Sequence, residues 1–340
     1  MPTLAQPIAA PNELLLVGAA FKTGIFDTLY ETPMSLTELA ERRNLDVRAL
    51  WTVIEALKSL GYLIEIAEPS PSSESVKSGM PSDLAASCAG DGKLALTEAA
   101  EQLFFLENSE NYIGHALIHT FNVIRSWSQI PEVLRKGQPA ERDQEELDIQ
   151  GFMAAMKKNA KSAVSVIRPC LEGLTPSGLT VLDLGGGPLN YARPFAAEGC
   201  IVTVQDTPEV CQLMEKQLAP GETIRFAPID FTESVVEGPF DLAFLGNISH
   251  IYGPKENLAL FRRVHAALKP GGRIAILDFV RAVSPMAAMF AVNMLVNTKT
   301  GGTWTMDQYR QWLEEEKRYE NVRLVPLEHQ HLILAEKASQ

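Results

Sequence analysis

Apolar residues recur at helical spacing from Asn12 to about Gly24, at Leu14, Leu15, Val17, Gly18 and Phe21. That stripe is too broad for a solitary surface helix, so it predicts a helix packed on another element or on a second subunit. Ser35-Leu36-Thr37-Glu38 follows, a capping box in which hydroxyl and carboxylate satisfy each other's free backbone donors, and it predicts a short helix from Leu36 to Arg42. After Asn44-Leu45-Asp46 the helical period runs through Val47, Leu50, Trp51, Ile54, Leu57 and Leu60 and stops at Gly61. A short strand, Tyr62 to Ile66, and a partner at Lys93 to Leu96 complete a winged-helix pattern. The stretch between them, Pro69 to Gly92, is rich in Ser, Pro, Gly and Ala and reads as a flexible insertion.

From Thr97 to about Cys170 the pattern is helical, broken at Pro131 and at Gly137-Gln138-Pro139, and reads as a bridge between domains. Beyond Leu179 strands alternate with helices: TVLDLGGG, CIVTVQD, IRFAPIDF, FDLAFLGN, GRIAILDF, then NVRLVPLE and HLILAEK. This alternation predicts an α/β domain, a parallel sheet covered by helices on both faces. The expected organisation is therefore a winged-helix domain over 1–100, with the insertion at about 69–92, a helical bridge over 101–170, and the α/β domain over 171–340.

Length supports this division, since 340 residues exceed what one core usually organises. A formal net charge of −12 weighs against a phosphate-backbone partner, and the second helix of the winged-helix pattern carries only Arg48 and Lys58 as basic residues. A structural or dimer-forming winged helix fits better than a DNA-binding one. Cys88, Cys170, Cys200 and Cys211 are scattered, with no paired spacing and no nearby His, so reduced thiols are expected and neither a disulfide framework nor a metal site. No apolar run is long enough to span a bilayer and the start lacks a signal-peptide pattern, so the expected location is the cytoplasm, without a membrane partner.

The candidate chemistry lies at the strand ends. Val181 to Gly187 is a buried strand running into three glycines, which lets backbone pass close to a ligand and predicts a nucleotide-like ligand. The dinucleotide fingerprint is not met, because its third glycine falls at Asn190. Nineteen residues beyond Gly187 the next strand ends in Asp206, placed to accept from both hydroxyls of a ribose or to cap the following helix. The third strand ends in Asp230-Phe231, a carboxylate suited to an exocyclic amino group beside a ring that can flank a purine. All three sites fall at the carboxyl ends of successive strands, where open α/β sheets bind ligands.

With these residues in hand, the chain resembles the small-molecule O-methyltransferases of the plant caffeate and bacterial antibiotic-tailoring type over nearly its whole length. The resemblance rests on GIFDTL, LTELA, ALKSLGYL, FMAAM, LDLGGG, VQDTPEV, FDLAFLGNISHIYGPKEN, ALKPGGRIAILDF and TGGTWTMDQYRQWL. It implies a class I methyltransferase domain with a Rossmann-like seven-stranded sheet whose last strand is antiparallel. It also implies a homodimer formed through the winged-helix module, S-adenosylmethionine as methyl donor, and a small aromatic acceptor. Carried over by position, Gly185 and Gly187 line the methionine end of the cofactor, Asp206 the ribose, and Asp230 with Phe231 the adenine. Asp183 and Asn247 complete the implied cofactor set. His250 matches the family's general base and Asp278 the acid that orients it. The expected substrate wall includes Phe152 and Met156, and Met286, Met289, Phe290, Asn293, Met294 and Asn297 on the helix after Pro285, where flexible thioethers suit a flat aromatic guest; core packing between domains is the alternative for these residues.

Two positions depart from the family pattern. Leu189 stands where the last loop glycine usually is, so its side chain has to point away or crowd the cofactor. Gly301-Gly302 leads into Thr303-Trp304-Thr305, where many plant relatives carry a second acid. Leu189 is also the main support for an alternative, a non-catalytic relative that binds ligand or serves as a scaffold. A nicotinamide-dependent oxidoreductase is a further alternative, disfavoured by the missing glycine and by ALKPGGR ahead of the fifth strand.

Overall fold

The computed structural model describes residues 11–66, 92–139, 163–328 and 330–339. The chain divides into two compact units, residues 1–122 and 123–340, and the division falls inside the stretch expected to be a bridge. Phe152, Met156, Cys88 and nearly all of the expected insertion lie outside the described residues.

In the first unit, α1 (Asn12–Lys22), α2 (Ile25–Glu31), α3 (Leu36–Arg43) and α4 (Val47–Ser59) precede a ribbon of β1 (Leu63–Ile66) and β2 (Lys93–Leu96). The ribbon is antiparallel, with Leu63 opposite Leu96 and Ile66 opposite Lys93. The capping box forms as expected: the Glu38 amide donates to Ser35 Oγ at 3.3 Å and the Ser35 amide to Glu38 Oε2 at 2.8 Å. Asp46 caps α4 in the same manner, accepting from the Ala49 amide at 2.8 Å. Phe26, Leu39, Ile54 and Leu57 form the centre of this core, joined by Phe104 from α5 (Glu98–Phe104).

The helical stretch continues through α6 (Gly114–Ser128) and α7 (Ile130–Lys136) to α8 (Ala163–Leu171) among the described residues. The expected break at Pro131 is a restart: the proline occupies the first turn of α7, where its missing N–H removes no intrahelical bond. Gly137, at φ +63°, ends that helix in the left-handed region that suits glycine.

In the second unit β3 (Thr180–Leu184), β4 (Ile201–Asp206), β5 (Arg225–Pro228), β6 (Phe240–Gly246), β7 (Leu268–Asp278), β8 (Tyr319–Pro326) and β9 (His331–Lys337) make one sheet in the order β5-β4-β3-β6-β7-β9-β8. β9 runs antiparallel to both its neighbours. This is the seven-stranded sheet, last strand reversed, that the resemblance implies. Strand order turns between β3 and β6, so the carboxyl ends of β3, β4, β6 and β7 flank the reversal point, where such sheets hold ligands. The alternating residues of the strands build two cores. Leu182, Leu245, Ile274 and Ile333 pack under α11 (Pro254–Ala267) and α13 (Met306–Leu313). Val181, Leu242, Leu277 and Leu334 pack under α8, α9 (Ala192–Ala197) and α10 (Pro208–Glu215). The ALKPGGR segment is a bulged start to β7 and not a separate turn, with Leu268 and Arg273 opposite Phe240 and Leu242. No helix among the described residues is long and apolar enough to cross a membrane.

Candidate active site

The glycine turn is shaped by close neighbours on three sides. Gly185 has φ +64°, and a Cβ there would lie 2.3 Å from Ile248 Cδ1. At Gly186 a Cβ would lie 2.5 Å from the Asp183 carboxylate. Neither position tolerates a side chain. Leu189 closes the turn, donating its amide to the Gly186 carbonyl at 2.7 Å, and it does so at φ +60°. The left-handed backbone costs an L-residue about 1–2 kcal/mol. Its side chain is fully buried in the core with Val181, Ala192 and Phe195, which contributes about 1.5–3 kcal/mol. Burial offsets the strain and directs the side chain away from the turn's open side. The crowding that Leu189 threatened does not arise, and the scaffold alternative loses its main support.

Three carboxylates collect at the neighbouring strand ends. Asp206 accepts from the Gly187 amide at 3.1 Å through Oδ2 and from the Thr207 amide at 2.8 Å through Oδ1, so it ties the end of β4 to the glycine turn. Burial raises its pKa, opposed by those two amides. Asp183 is fully buried, and neither of its carboxylate oxygens completes a hydrogen bond. Burial first, then the nearby Asp206 charge, push it up to about 8, opposed in part by the Ala192 amide. Asp230 accepts from the Thr232 amide at 2.8 Å, with buried Phe231 beside it. Tyr252 faces the edge of Phe231 with ring centroids 6.0 Å apart. Burial, followed by the charges of Asp230, Asp206 and Glu256, pushes its phenol up to about 12. Asn247, at φ +63°, donates its amide to the Leu277 carbonyl at 3.0 Å and accepts from the Gln330 side chain.

This donor set discriminates among nucleotides. A dinucleotide's pyrophosphate needs free amides and positive charge at the turn, whereas here the Gly187 amide is already bonded to a carboxylate and two more acids stand nearby. The same array suits a cationic ligand that carries ribose hydroxyls and an amino-purine. The residues present fit S-adenosylmethionine and oppose NAD.

His250 lies in a single 3₁₀ turn, Ser249–Ile251, just past β6. Its Nδ1 is 2.8 Å from Asp278 Oδ1 at the end of β7, and both side chains are buried. Oδ1 also accepts from the Phe279 amide at 2.7 Å, while Oδ2 accepts from the buried Tyr309 hydroxyl at 3.3 Å. An ionised carboxylate only accepts, so a neutral imidazole bound to it carries its proton on Nδ1 and leaves the Nε2 lone pair free. The backbone around the ring is fixed by neighbours. The Asn257 amide group donates to the Ser249, Tyr252 and Gly253 carbonyls at 2.9, 2.9 and 3.1 Å, and Trp304 Nε1 donates to the Ser249 carbonyl at 3.0 Å. The Gly302 amide reaches the His250 carbonyl at 2.9 Å, and a Cβ on Gly301 would lie 2.4 Å from that same oxygen. Gly301 is therefore required by His250's own backbone, whereas Gly302 contributes only its amide there. Thr303, where the second acid would fall nearby, instead donates to the Ala287 carbonyl at 3.0 Å and accepts from Arg281 at 3.2 Å.

On α12 (Ala287–Asn297) it is Phe290 that meets the histidine, its ring edge-on with centroids 4.8 Å apart and also 4.3 Å from Phe279. Met289 is 60% exposed and Met286 is exposed as well, while Met294 is buried. Asn293 accepts from Trp127 Nε1 at 3.0 Å and from Asn297 Nδ2 at 2.8 Å. Tyr309, Tyr252, Gln330 and Trp127 were not singled out from the sequence. Tyr309 and Tyr252 lie within quoted motif stretches, but no spacing rule marks their hydroxyls.

The O-methyltransferase domain family matches residues 139–317. The chain is 24% identical over 318 residues to the tetracenomycin polyketide synthesis 8-O-methyl transferase TcmO of Streptomyces glaucescens, covering 87% of this chain and 85% of that protein. It is 22% identical to acetylserotonin O-methyltransferase of Gallus gallus, covering 82% and 81%. Among solved structures, PigF with SAH superposes with a TM-score of 0.67 at 19% identity, covering 96% of each chain. Human N-acetylserotonin methyltransferase in complex with SAM superposes at 0.62 with 20% identity, covering 96% of this chain and 94% of that one. With more than half of its length matched by that family, the chain belongs to the O-methyltransferase domain family, whose methyl donor is S-adenosylmethionine.

Proposed function

We propose that this chain methylates a hydroxyl of a small aromatic molecule, with His250 as general base and Asp278 orienting it. The observation that carries the residue assignment is the buried 2.8 Å contact between His250 Nδ1 and Asp278, at the ends of β6 and β7, the two strands that follow β3 on the side away from β4. S-adenosylmethionine, when bound, supplies a methyl group already activated on its sulfonium. Gly185 and Gly187 are assigned to its methionine end, with Asp183 and Asn247 beside them, Asp206 to the ribose and Asp230 with Phe231 to the adenine. His250 Nε2 takes the acceptor's proton. A free phenol and a free imidazole differ by about 3.5 pKa units, roughly 5 kcal/mol against complete prior transfer, so His250 withdraws the proton as the oxygen reacts. The buried Asp278 fixes the ring's tautomer and stabilises it once protonated. Phe290, Asn293 and Met294 line the acceptor's side, and the ordered backbone around His250 holds the base in place for alignment, the main contribution available to the protein.

Calorimetric titration with S-adenosylhomocysteine tests the cofactor assignment. Wild type should bind and Asp206→Ala should lose at least tenfold in affinity, since a carboxylate serving ribose hydroxyls is worth about 1.5–3 kcal/mol. No binding by wild type would reject the assignment.

The first unit is proposed as a homodimerisation module. Leu15, Trp51, Leu60, Ile64 and Ile66 are exposed there, a set of large apolar side chains that a second copy would cover. Sedimentation velocity should show a dimer that the pair Ile64→Lys and Ile66→Lys converts to monomer; a monomeric wild type would reject it. Buried unpaired thiols at Cys170, Cys200 and Cys211 suit a reducing compartment, and we place the protein in the cytoplasm.

A further inference from the structure

The orientation of one side-chain amide constrains what the acceptor can be. Asn293 Oδ1 receives two donors, Trp127 Nε1 at 3.0 Å and Asn297 Nδ2 at 2.8 Å. An indole nitrogen can only donate, so the oxygen end of Asn293 must face Trp127. Turning the amide over would set its NH2 against two donors at once. Asn297 Nδ2 also holds the Asn293 backbone carbonyl at 2.8 Å, which fixes the stem of the same residue. Both lone pairs of Oδ1 are thereby used, and the Asn293 amide nitrogen has no partner among the described residues. Asn293 is half-buried and lies one helical turn after Phe290, on the same face of α12 as the ring that meets His250. Three residues of helix advance about 4.5 Å along the axis, close to the width of one aromatic ring.

We propose that Trp127 is a positioning residue that holds Asn293 as a hydrogen-bond donor toward the acceptor, and that the acceptor is a hydroxyaryl ketone or hydroxyquinone whose carbonyl stands about one ring away from the methylated hydroxyl. The inference rests on the acceptor site proposed above. A ring bearing only hydrocarbon at that point leaves a partly desolvated amide without a partner, which disfavours it. Trp127 acts through Asn293 and need not touch the acceptor. Its separation from Asn293 by 166 residues means that the helix ahead of the α/β sheet sets the chemistry of a wall that α12 presents.

The test uses the full chain saturated with S-adenosylhomocysteine and two probes that differ in a carbonyl, 4'-hydroxyacetophenone and 4-ethylphenol, with binding measured by calorimetry. Wild type should prefer the ketone by roughly tenfold, the worth of one good hydrogen bond. Trp127→Phe keeps an aromatic ring and removes only the N–H. It should bring the preference close to one while leaving the affinities for 4-ethylphenol and S-adenosylhomocysteine unchanged. Asn293→Leu should lose the preference in the same way. Equal binding of the two probes by wild type would overturn the proposal, as would binding of neither while S-adenosylhomocysteine still binds. A uniform fall in all three affinities in Trp127→Phe would also overturn it, because that is the signature of a packing role alone. Failure of wild type to bind S-adenosylhomocysteine would instead reject the underlying site assignment and remove the inference with it.

Discussion

Replacing His250 by alanine should lower the methyl-transfer rate by about 10²–10⁴, the usual worth of a positioned general base, while S-adenosylhomocysteine binding stays within about twofold. The loss should fall on kcat more than on KM, because the ring's proposed work is confined to the transition state. Asp278→Asn should be nearly as damaging even though the shape is kept. Because the Phe279 amide and the imidazole both donate to Oδ1, the asparagine oxygen takes that place and its NH2 turns to the Tyr309 hydroxyl, so the tautomer is kept but the negative charge that stabilises the protonated ring is lost. Tyr309→Phe should cost much less, since Asp278 Oδ1 retains both the imidazole and the Phe279 amide. Rates measured with radiolabelled methyl donor on a panel of phenols check the series. Retention of more than a third of wild-type activity by His250→Ala would remove the residue from the base role.

Much of this site was legible in the chain because its polar groups sit at the ends of periodic elements. Asp206 and Asp278 close strands whose apolar runs announce them, Asp230 lies two residues past the end of β5 at Pro228 and not at the strand end expected, and Ser35 and Glu38 announce α3 by spacing alone. Contacts between elements distant in sequence were not legible. Trp127 and Asn293 lie 166 residues apart, and each sits in a helical pattern that marks which face is buried without saying what a polar edge will meet. Tyr309 carries the same lesson. Its position on α13 reads as one more apolar core residue beside Trp312 and Leu313, and only the packing of α13 over the sheet brings its hydroxyl to Asp278. Leu189 was legible as a departure but not as a direction: whether its side chain faced ligand or core depended on the left-handed turn, which the two preceding glycines and Pro188 do not specify. The expected wall residues Phe152 and Met156 fall outside the described residues, so the acceptor's side is represented by α12 and Trp127.

Asp183→Asn should make the protein's stability less dependent on pH and raise it at alkaline pH. In the unfolded chain this carboxyl has an ordinary pKa of 3.8, whereas burial and the Asp206 charge place it at about 8 in the fold. Above pH 4 the unfolded chain ionises and the native state does not, so this residue's contribution is fullest below about 4, declines as pH rises, and levels off beyond 8. At about 1.4 kcal/mol per pH unit the total decline is on the order of several kcal/mol. An asparagine does not titrate and escapes that decline, though its buried NH2 costs about 1–3 kcal/mol if it finds no acceptor. Denaturation curves taken from pH 5 to 8.5 should therefore cross, the variant weaker at the acid end and stronger at the alkaline end by roughly 2–4 kcal/mol. Parallel curves would mean that Asp183 is not held protonated. The groups that face it among the described residues, Asp206, Tyr191 and the Ala192 amide, include no cation. Under the proposed cofactor assignment, a cationic ligand arriving at the glycine turn would offset the cost of this buried acid. The same Asp183→Asn variant should accordingly gain stability at pH 8 and lose affinity for S-adenosylmethionine, the trade expected where a site and not the core dictates the residue.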